Sequence, residues 1–320
     1  MRHLITGGAG FIGSHLAELL LARGDSVVAL DDLSTGSQTN IAAFETTGRF
    51  TFVLGTILDG GLVDRLVSEA DDVYHLAAAV GVRRIMERGV DALVTNTTGT
   101  DHVLRSAARH QRPVLIASSS EVYAASDAVP FTEDAGVTLG STMRPRWGYA
   151  CSKAFDEFLA FAYAREQGLR VVVVRLFNTV GPRQTGRYGM VVPNFVRQAL
   201  AGEPLTVFGD GTQTRCFTWV GDVVDAMSKL LAEPRAWAGV CNLGSIEEVS
   251  ILQLAQRIIA RTNSVSKVVL VPFDQAFGPE FDDMQRRVPS LARAEALIGY
   301  RPTMPLDAIL DRVIQYEESW

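Results

Sequence analysis

The run Thr6-Gly7-Gly8-Ala9-Gly10-Phe11-Ile12-Gly13 constrains this chain more than any other feature. It follows a short apolar segment, His3–Thr6, and leads into an apolar-periodic one, Phe11–Ala22. Glycines at a strand-to-helix junction let backbone amides and a helix N-terminus approach a pyrophosphate closely. A plain glycine-rich turn is the alternative. Position and context favour a dinucleotide cradled by Gly7 and Gly10, with Phe11 and Ile12 opening the helix.

The first half alternates β-rich runs with helical ones. Strands are expected at His3–Thr6, Ser26–Leu30, Phe50–Leu54, Val73–Leu76, Val114–Ala117 and Val171–Arg175. They are short and apolar throughout, as parallel strands covered on both faces should be. Helices are expected at Phe11–Ala22, Leu62–Ser68, Asp91–His110 and Ala150–Gln167. This pattern predicts an α/β fold with a Rossmann-type doubly wound parallel sheet. After Asn178, Gly and Pro at positions 181, 182, 186, 189, 193, 204 and 209–211 break the chain into loops and short elements. Residues 1–178 with about 215–243 are expected to form the nucleotide-binding domain. About 179–214 and 244–320 would form a smaller C-terminal substrate-binding domain. Within the second half, helices are expected at Asp222–Ala232, Ile251–Arg261, Ser290–Ile298 and Leu306–Glu318, and a strand at Val240–Leu243.

With 47% hydrophobic and 21% charged residues in 320, the chain can bury a sizeable core. Acidic residues outnumber basic ones by 36 to 30, which disfavours a nucleic-acid or anionic-membrane partner. The cysteines, Cys151, Cys216 and Cys241, are scattered and show no metal-ligand spacing, so no metal is expected. Free thiols and a start without a leader-like segment suggest a cytoplasmic location. Cys151 is read as a packing residue and not as a nucleophile.

Tyr149 and Lys153 stand four apart, so on a helix they share one face. A phenol normally titrates near ~10, too high for a base at neutral pH. A neighbouring ammonium is expected to favour the phenolate. Asp31 and Asp32 end the second strand, where a carboxylate accepts ribose hydroxyls and repels a 2′-phosphate, favouring NAD over NADP. A helix-capping role is the alternative. Ser118-Ser119-Ser120-Glu121 follow the fifth strand, at the edge of the sheet where such folds place their chemistry. Serines there are also ordinary turn material. Arg215, Arg286 and Arg287 offer guanidinium forks for a diphosphate or carboxylate, or are surface residues. His75, inside a strand, is read as a satisfied core residue.

Taken together, the motifs resemble the extended short-chain dehydrogenase/reductases, in the branch that epimerises, dehydrates or decarboxylates nucleotide sugars. The glycine run, Asp31-Asp-Leu-Ser-Thr-Gly36, His75-Leu-Ala-Ala78, Tyr149–Lys153 and Arg175-Leu-Phe-Asn-Thr-Val-Gly-Pro182 carry the resemblance. So do Leu205-Thr-Val-Phe-Gly-Asp-Gly-Thr-Gln-Thr-Arg215 and Asn242-Leu-Gly244. The resemblance implies NAD held also by Thr35, Gly36, Ile57, Leu76, Ala77 and Ala78. It implies a UDP-sugar held by Ser120, Asn178, Val192, Thr206, Phe208, Arg215 and Arg287. Tyr149 would take the C4 hydroxyl proton, Lys153 would hold the nicotinamide ribose, and Ser119 would bond the C4 oxygen.

The Ser120-Glu121 pair and the tail run Gln285-Arg-Arg-Val-Pro-Ser-Leu291 look most like the UDP-glucuronate decarboxylases. That group releases CO₂ from a 4-keto intermediate, with Glu121 near C5 and Arg287 on the carboxylate. A UDP-sugar 4-epimerase acting on UDP-glucuronate or UDP-glucose is the alternative, and a non-catalytic NAD-binding regulator a third reading. The chain departs from the family pattern at Thr56, Ser119, Ala124 and the run Ala79-Val-Gly-Val-Arg-Arg84. A homodimer is implied, built on the helices at Asp91–His110 and Ala150–Gln167.

Overall fold

A computed structural model describes residues 1–80, 88–123, 129–186, 189–278 and 284–319. Ala124 and positions 81–84 of the departing run lie outside the described residues. The first half runs β1 (Arg2–Thr6), α1 (Phe11–Ala22), β2 (Ser26–Asp31), β3 (Phe50–Leu54), α2 (Gly60–Ser68) and β4 (Asp72–His75). It continues through α3 (Gly89–His110), β5 (Val114–Ser119), α4 (Arg146–Gln167) and β6 (Val171–Leu176). With β11 (Gly239–Leu243), these strands form a seven-stranded parallel sheet in the order β11-β6-β5-β4-β1-β2-β3.

The order reverses between β1 and β4, and the crevice outside the strand ends at such a switch point is where these sheets bind ligands. The chain folds this way because its central strands have nothing polar to show water. Val171, Val172, Val173 and Val174 are all fully buried. One face packs under α1 and α6 (Val220–Ala232) through Leu16, Leu20, Val223 and Met227. The other packs under α2, α3 and α4 through Val63, Val67, Val103 and Ala160.

The later half holds more strand than its loop-like composition suggested. β7 (Thr179–Val180), α5 (Val191–Leu200), β8 (Leu205–Phe208), β9 (Thr214–Cys216) and β10 (Thr218–Trp219) come before α6. β12 (Glu248–Ser250), α7 (Ile251–Arg261), β13 (Val268–Val271), α8 (Phe273–Phe277), β14 (Arg286–Arg287), α9 (Ala292–Ile298) and α10 (Leu306–Glu318) follow β11. The strands here form small sheets, β12-β9-β14, β13-β8 and β10-β7, of four residues or fewer per strand. Strands so short carry no readable alternation, so they escape a pattern search. A separate core of Val196, Leu205, Leu254, Ile258, Leu310 and Val313 supports them.

A buried ion pair ties α4 to the sheet. Glu157 on α4 takes Nε and Nη2 of Arg175 at 2.9 and 2.7 Å. The same carboxylate accepts the Ser118 hydroxyl from the end of β5. Arg175 Nη1 reaches the Glu133 carbonyl at 3.2 Å, and Glu133 accepts the Asn242 amide from β11 at 2.9 Å. No helix among the described residues is long and apolar enough to cross a membrane.

Removing one partner of a buried pair leaves the other charged and uncompensated. Arg175→Met is therefore expected to lower the unfolding free energy by about 3–5 kcal/mol in urea titrations. Adding Glu157→Gln should recover much of the loss. An Arg175→Met protein as stable as the parent would show that the pair carries no weight.

Candidate active site

The glycine turn is shaped by close approach. Gly7 has a φ of +74°, and a Cβ there would lie 2.8 Å from the Ala77 amide nitrogen. At Gly13 a Cβ would fall 2.1 Å from the Gly7 carbonyl oxygen, so the first helical turn can close only over glycine. Asp31 fastens the turn from β2. Its carboxylate accepts the Ala9 amide at 3.0 Å and the Leu33 amide at 2.8 Å, one on each oxygen. Burial raises its pKa from the usual carboxylate value, and those two amides pull it back. Each carboxylate oxygen keeps a further acceptor site for a ribose hydroxyl.

One cleft joins this turn to the catalytic helix. Gly7, Gly10, Phe11, Ile12, Asp31, Asp32 and Thr35 line one end. Ile57, Leu76, Ala77 and Ala78 line the middle, and Tyr149 and Lys153 the other end. Gly36 sits behind Asp31, where a Cβ would come 3.0 Å from the carboxylate. A carboxylate facing a glycine cradle fits the adenosine half of a dinucleotide, with the pyrophosphate on the α1 N-terminus.

Tyr149 lies within α4, whose start at Arg146 precedes the expected Ala150. The phenol faces Ser119, which favours its charged form. The sequence led us to expect a lowered phenol pKa. Instead burial raises it well above the ordinary value, and Glu121 and Asp156 raise it further. Ser119 and Arg287 act in the opposite direction. Desolvation penalises a phenolate more than the nearby positive groups reward it. The Lys153 ammonium meets Asp156 Oδ2 at 3.2 Å, with both side chains almost wholly buried.

Glu121 and Arg287 meet across the fold. Arg287 Nη2 donates to Glu121 Oε1 at 2.7 Å, and Nη1 to Ser120 Oγ at 3.3 Å. Arg287 Nε is buried without a hydrogen-bond partner among the described residues. Together these gather Ser119, Ser120, Glu121, Tyr149, Lys153 and Arg287 at the carboxyl edge of the sheet.

The other expected substrate residues serve partly structural ends. Asn178 donates its amide to the Cys216 carbonyl at 2.9 Å, and Arg215 Nη1 donates to the Thr214 and Met284 carbonyls, each at 2.8 Å. The Val192 side chain belongs to the second core. Thr206 and Phe208 lie on β8, the latter partly exposed. Arg286 turns outward into a two-pronged pair with Glu248 at 2.8 and 2.9 Å, so of the three candidate arginines it is the surface one.

Cys151 is exposed, against the expectation that it packs, because α4 presents that side outward from the monomer. His75 is the satisfied core residue it was read as. It contacts the hydroxyls of Thr6 at 2.7 Å and Thr100 at 3.0 Å, and burial drives its pKa down to about 3. Asp156 and Thr100 were missed. An acid three residues after Lys153 was the available signal for Asp156. Asn96 was missed too; its side chain holds the Ala79 backbone at 2.8 and 3.4 Å. No group of three or more His, Cys, Asp or Glu among the described residues is placed to hold a metal ion.

Comparison with known proteins places this geometry. Residues 3–244 match the family described as the NAD dependent epimerase/dehydratase family. The chain is 40% identical over 316 residues to a UDP-N-acetyl-alpha-D-glucosaminuronate decarboxylase of Bacillus cytotoxicus, covering 98% of this chain and 97% of that one. It is 38% identical to UDP-glucuronic acid decarboxylase 1 of Danio rerio, across 98% of this chain and 72% of that one. A crystal structure of a UDP-glucuronic acid 4-epimerase from Bacillus cereus, in complex with UDP-glucuronic acid and NAD, superposes with a TM-score of 0.89. It is 28% identical and covers 100% of this chain and 99% of its own.

Asp31→Ala removes both the ribose acceptor and the anchor of the turn. It is expected to weaken NAD about 10- to 100-fold by isothermal titration, the scale of a charge-assisted hydrogen bond, and to improve NADP relative to NAD. A variant that still strongly prefers NAD would show that Asp31 does not select the cofactor.

Proposed function

The chain belongs to the NAD dependent epimerase/dehydratase family, and on that premise we propose that it decarboxylates UDP-glucuronate to UDP-xylose through a 4-keto intermediate. The single observation that carries the decarboxylase over an epimerase of neutral sugars is the Glu121–Arg287 pair at 2.7 Å beside Tyr149, with Arg287 Nε left unpartnered. A guanidinium with a spare buried donor suits a substrate carboxylate. A 4-epimerase acting on neutral sugars has no use for one. The relatives named as decarboxylases support the same reading.

NAD, when bound, supplies a hydride acceptor at C4 and gives the hydride back. The chain's own residues move the protons. Tyr149 takes the C4 hydroxyl proton while Ser119 holds that oxygen. The ketone formed at C4 is β to the C6 carboxylate. Arg287 orients the carboxylate, the C5–C6 bond breaks, CO₂ leaves and the electron pair passes into an enolate at C4. C5 then takes a proton on the side facing Glu121, and Tyr149 returns its own proton to the C4 oxygen. The cycle consumes one proton overall and leaves the cofactor as it began.

The Bacillus cytotoxicus relative is named for a hexuronate bearing an acetamido group, so UDP-N-acetylglucosaminuronate is the second substrate to assay. We further assign the exposed apolar side chains Val90, Leu93 and Val94 of α3, with Phe155 and Phe158 of α4, to a homodimer contact with a second copy of the chain. Three free cysteines support a cytoplasmic location.

Tyr149→Phe should cut turnover about 10²–10⁴-fold in an assay of CO₂ release from UDP-glucuronate, while leaving NAD bound. Arg287→Ala should raise KM for UDP-glucuronate and stall the cycle after oxidation, seen as reduced-nicotinamide absorbance that persists. Wild-type protein that interconverts UDP-glucose and its 4-epimer without releasing CO₂, and loses little of that activity in Arg287→Ala, would establish the epimerase instead. Phe158→Glu should yield monomers in light scattering. A monomeric parent would refute the dimer assignment.

A further inference from the structure

Asp156 packs against Lys153 and lies outside the roles given to cofactor and sugar. Its side chain is fully buried, and Lys153 is 2% exposed. Lys153 Nζ donates to Oδ2 at 3.2 Å. Oδ1 is buried and makes no hydrogen bond of ordinary geometry among the described residues. A carboxylate taken wholly out of water persists only where neighbours compensate it.

One assignment of donors and acceptors gives the neighbours a single direction. The Ala77 amide donates to Thr6 Oγ1 at 3.3 Å, so the Thr6 hydroxyl proton is free to go to His75 Nδ1 at 2.7 Å. That leaves His75 Nε2 as the donor to Thr100 Oγ1 at 3.0 Å. The Thr100 hydroxyl proton is then left for Asp156; burial raises the pKa of that carboxyl, and Lys153 first and then Thr100 favour its charged form, although Thr100 is not aligned into a full bond on Oδ1. Each hydroxyl thus accepts from one side and donates to the other. The series runs from the edge of the cofactor cleft at Ala77 to the counter-charge of Lys153.

The other charges around the pair are already spoken for. Glu121 on the turn after β5 is paired with Arg287 of β14. Glu157, next to Asp156 on α4, is paired with Arg175 of β6. His75 on β4, with its pKa near 3, is neutral at working pH. Ser119 and Thr100, facing from β5 and α3, carry no charge. Asp156 is thus the carboxylate in contact with Lys153, and together with Glu121, whose charge acts more strongly, it adds to burial in raising the Tyr149 pKa.

We propose that Asp156 is a positioning residue: it holds the Lys153 ammonium and opposes its pull on the Tyr149 phenol, so that Tyr149 retains the proton affinity needed to return its proton at the end of the cycle. This rests on Tyr149 being the acid–base group of the proposed function. An ammonium alone would favour the phenolate, speeding proton removal and slowing proton return. The same group must do both, so its affinity has to be set between the two. Asp156→Asn keeps the shape and removes the charge.

The test is the pH profile of kcat/KM for CO₂ release from UDP-glucuronate by the NAD-loaded enzyme. The activity rises with pH as Tyr149 loses its proton. Without the Asp156 charge the phenolate forms more readily, so this limb should move to lower pH by about one unit. Asp156→Glu, which restores the charge, should bring it back toward the parent. Asp156→Ser, also uncharged, reads the same quantity if the amide is not tolerated. A limb that stays in place in an uncharged variant, whatever happens to its melting temperature, overturns the inference by leaving Asp156 a merely structural role. A limb that moves to higher pH overturns it as well. Tyr149→Phe separates the two levels: activity persisting there refutes the acid–base reading itself, whereas an inactive Tyr149→Phe with an unmoved Asp156→Asn limb refutes this inference alone.

Discussion

The buried pair between Glu157 and Arg175 is what the rest of the site stands on. Glu157 shares α4 with Tyr149 and Lys153, while Arg175 ends β6 and Ser118 ends β5. β5 and β6 are paired so that Ser118 lies opposite Arg175 and Ser119 opposite Leu176. One carboxylate accepting from both strand ends therefore fixes the helix against the sheet, both along its axis and about it. On the proposed mechanism Tyr149 needs that fixity, because its phenol would have to reach Ser119 and a sugar oxygen together, and a small misplacement of reacting groups can cost orders of magnitude in rate. Burying a pair of charges is at best a weak source of stability. Its value here is geometric.

Dryness works for this site and against it. Burial lifts the Tyr149 pKa, so the free chain holds a phenol and not a phenolate. Binding a cofactor with a positive ring would favour the phenolate. Arg287 shows a similar economy. Glu121 keeps the guanidinium compensated, so an arriving carboxylate must compete with an existing partner.

Much of this was legible in the sequence, and the parts that were not share a cause. The parallel sheet showed itself because strands such as Val171–Leu176 are apolar at nearly every position. The glycine turn and the Tyr149–Lys153 spacing showed themselves because each is local in sequence. The small sheets of the later half did not, since strands of two to four residues take their shape from partners far along the chain. The His75–Thr100–Asp156 series was hidden for the same reason: its members lie on β4, α3 and α4. The direction of the Tyr149 pKa depended on burial, which no spacing rule reports. Cys151 was misread because helical geometry says which way a side chain points relative to its neighbours, not whether anything covers it.

On the proposed function, the placing of Arg287 for a substrate carboxylate rests on a strand of two residues. β14 pairs in parallel with β9, setting Arg286 beside Thr214 and Arg287 beside Arg215. Neighbouring strand residues face opposite ways, so Arg286 meets Glu248 at the surface while Arg287 enters the site. A slip of one position would exchange them and leave the wrong guanidinium in the cleft. The register is held on the outer face by the Arg286–Glu248 pair, and at the strand's start by the Thr214 amide on the Gln285 carbonyl at 2.8 Å. An exposed ion pair of that kind adds little to stability. Here its consequence is to keep the adjacent residue turned inward. On the proposed function, the inward turn of Arg287 thus depends on a surface contact that neither cofactor nor sugar needs to touch.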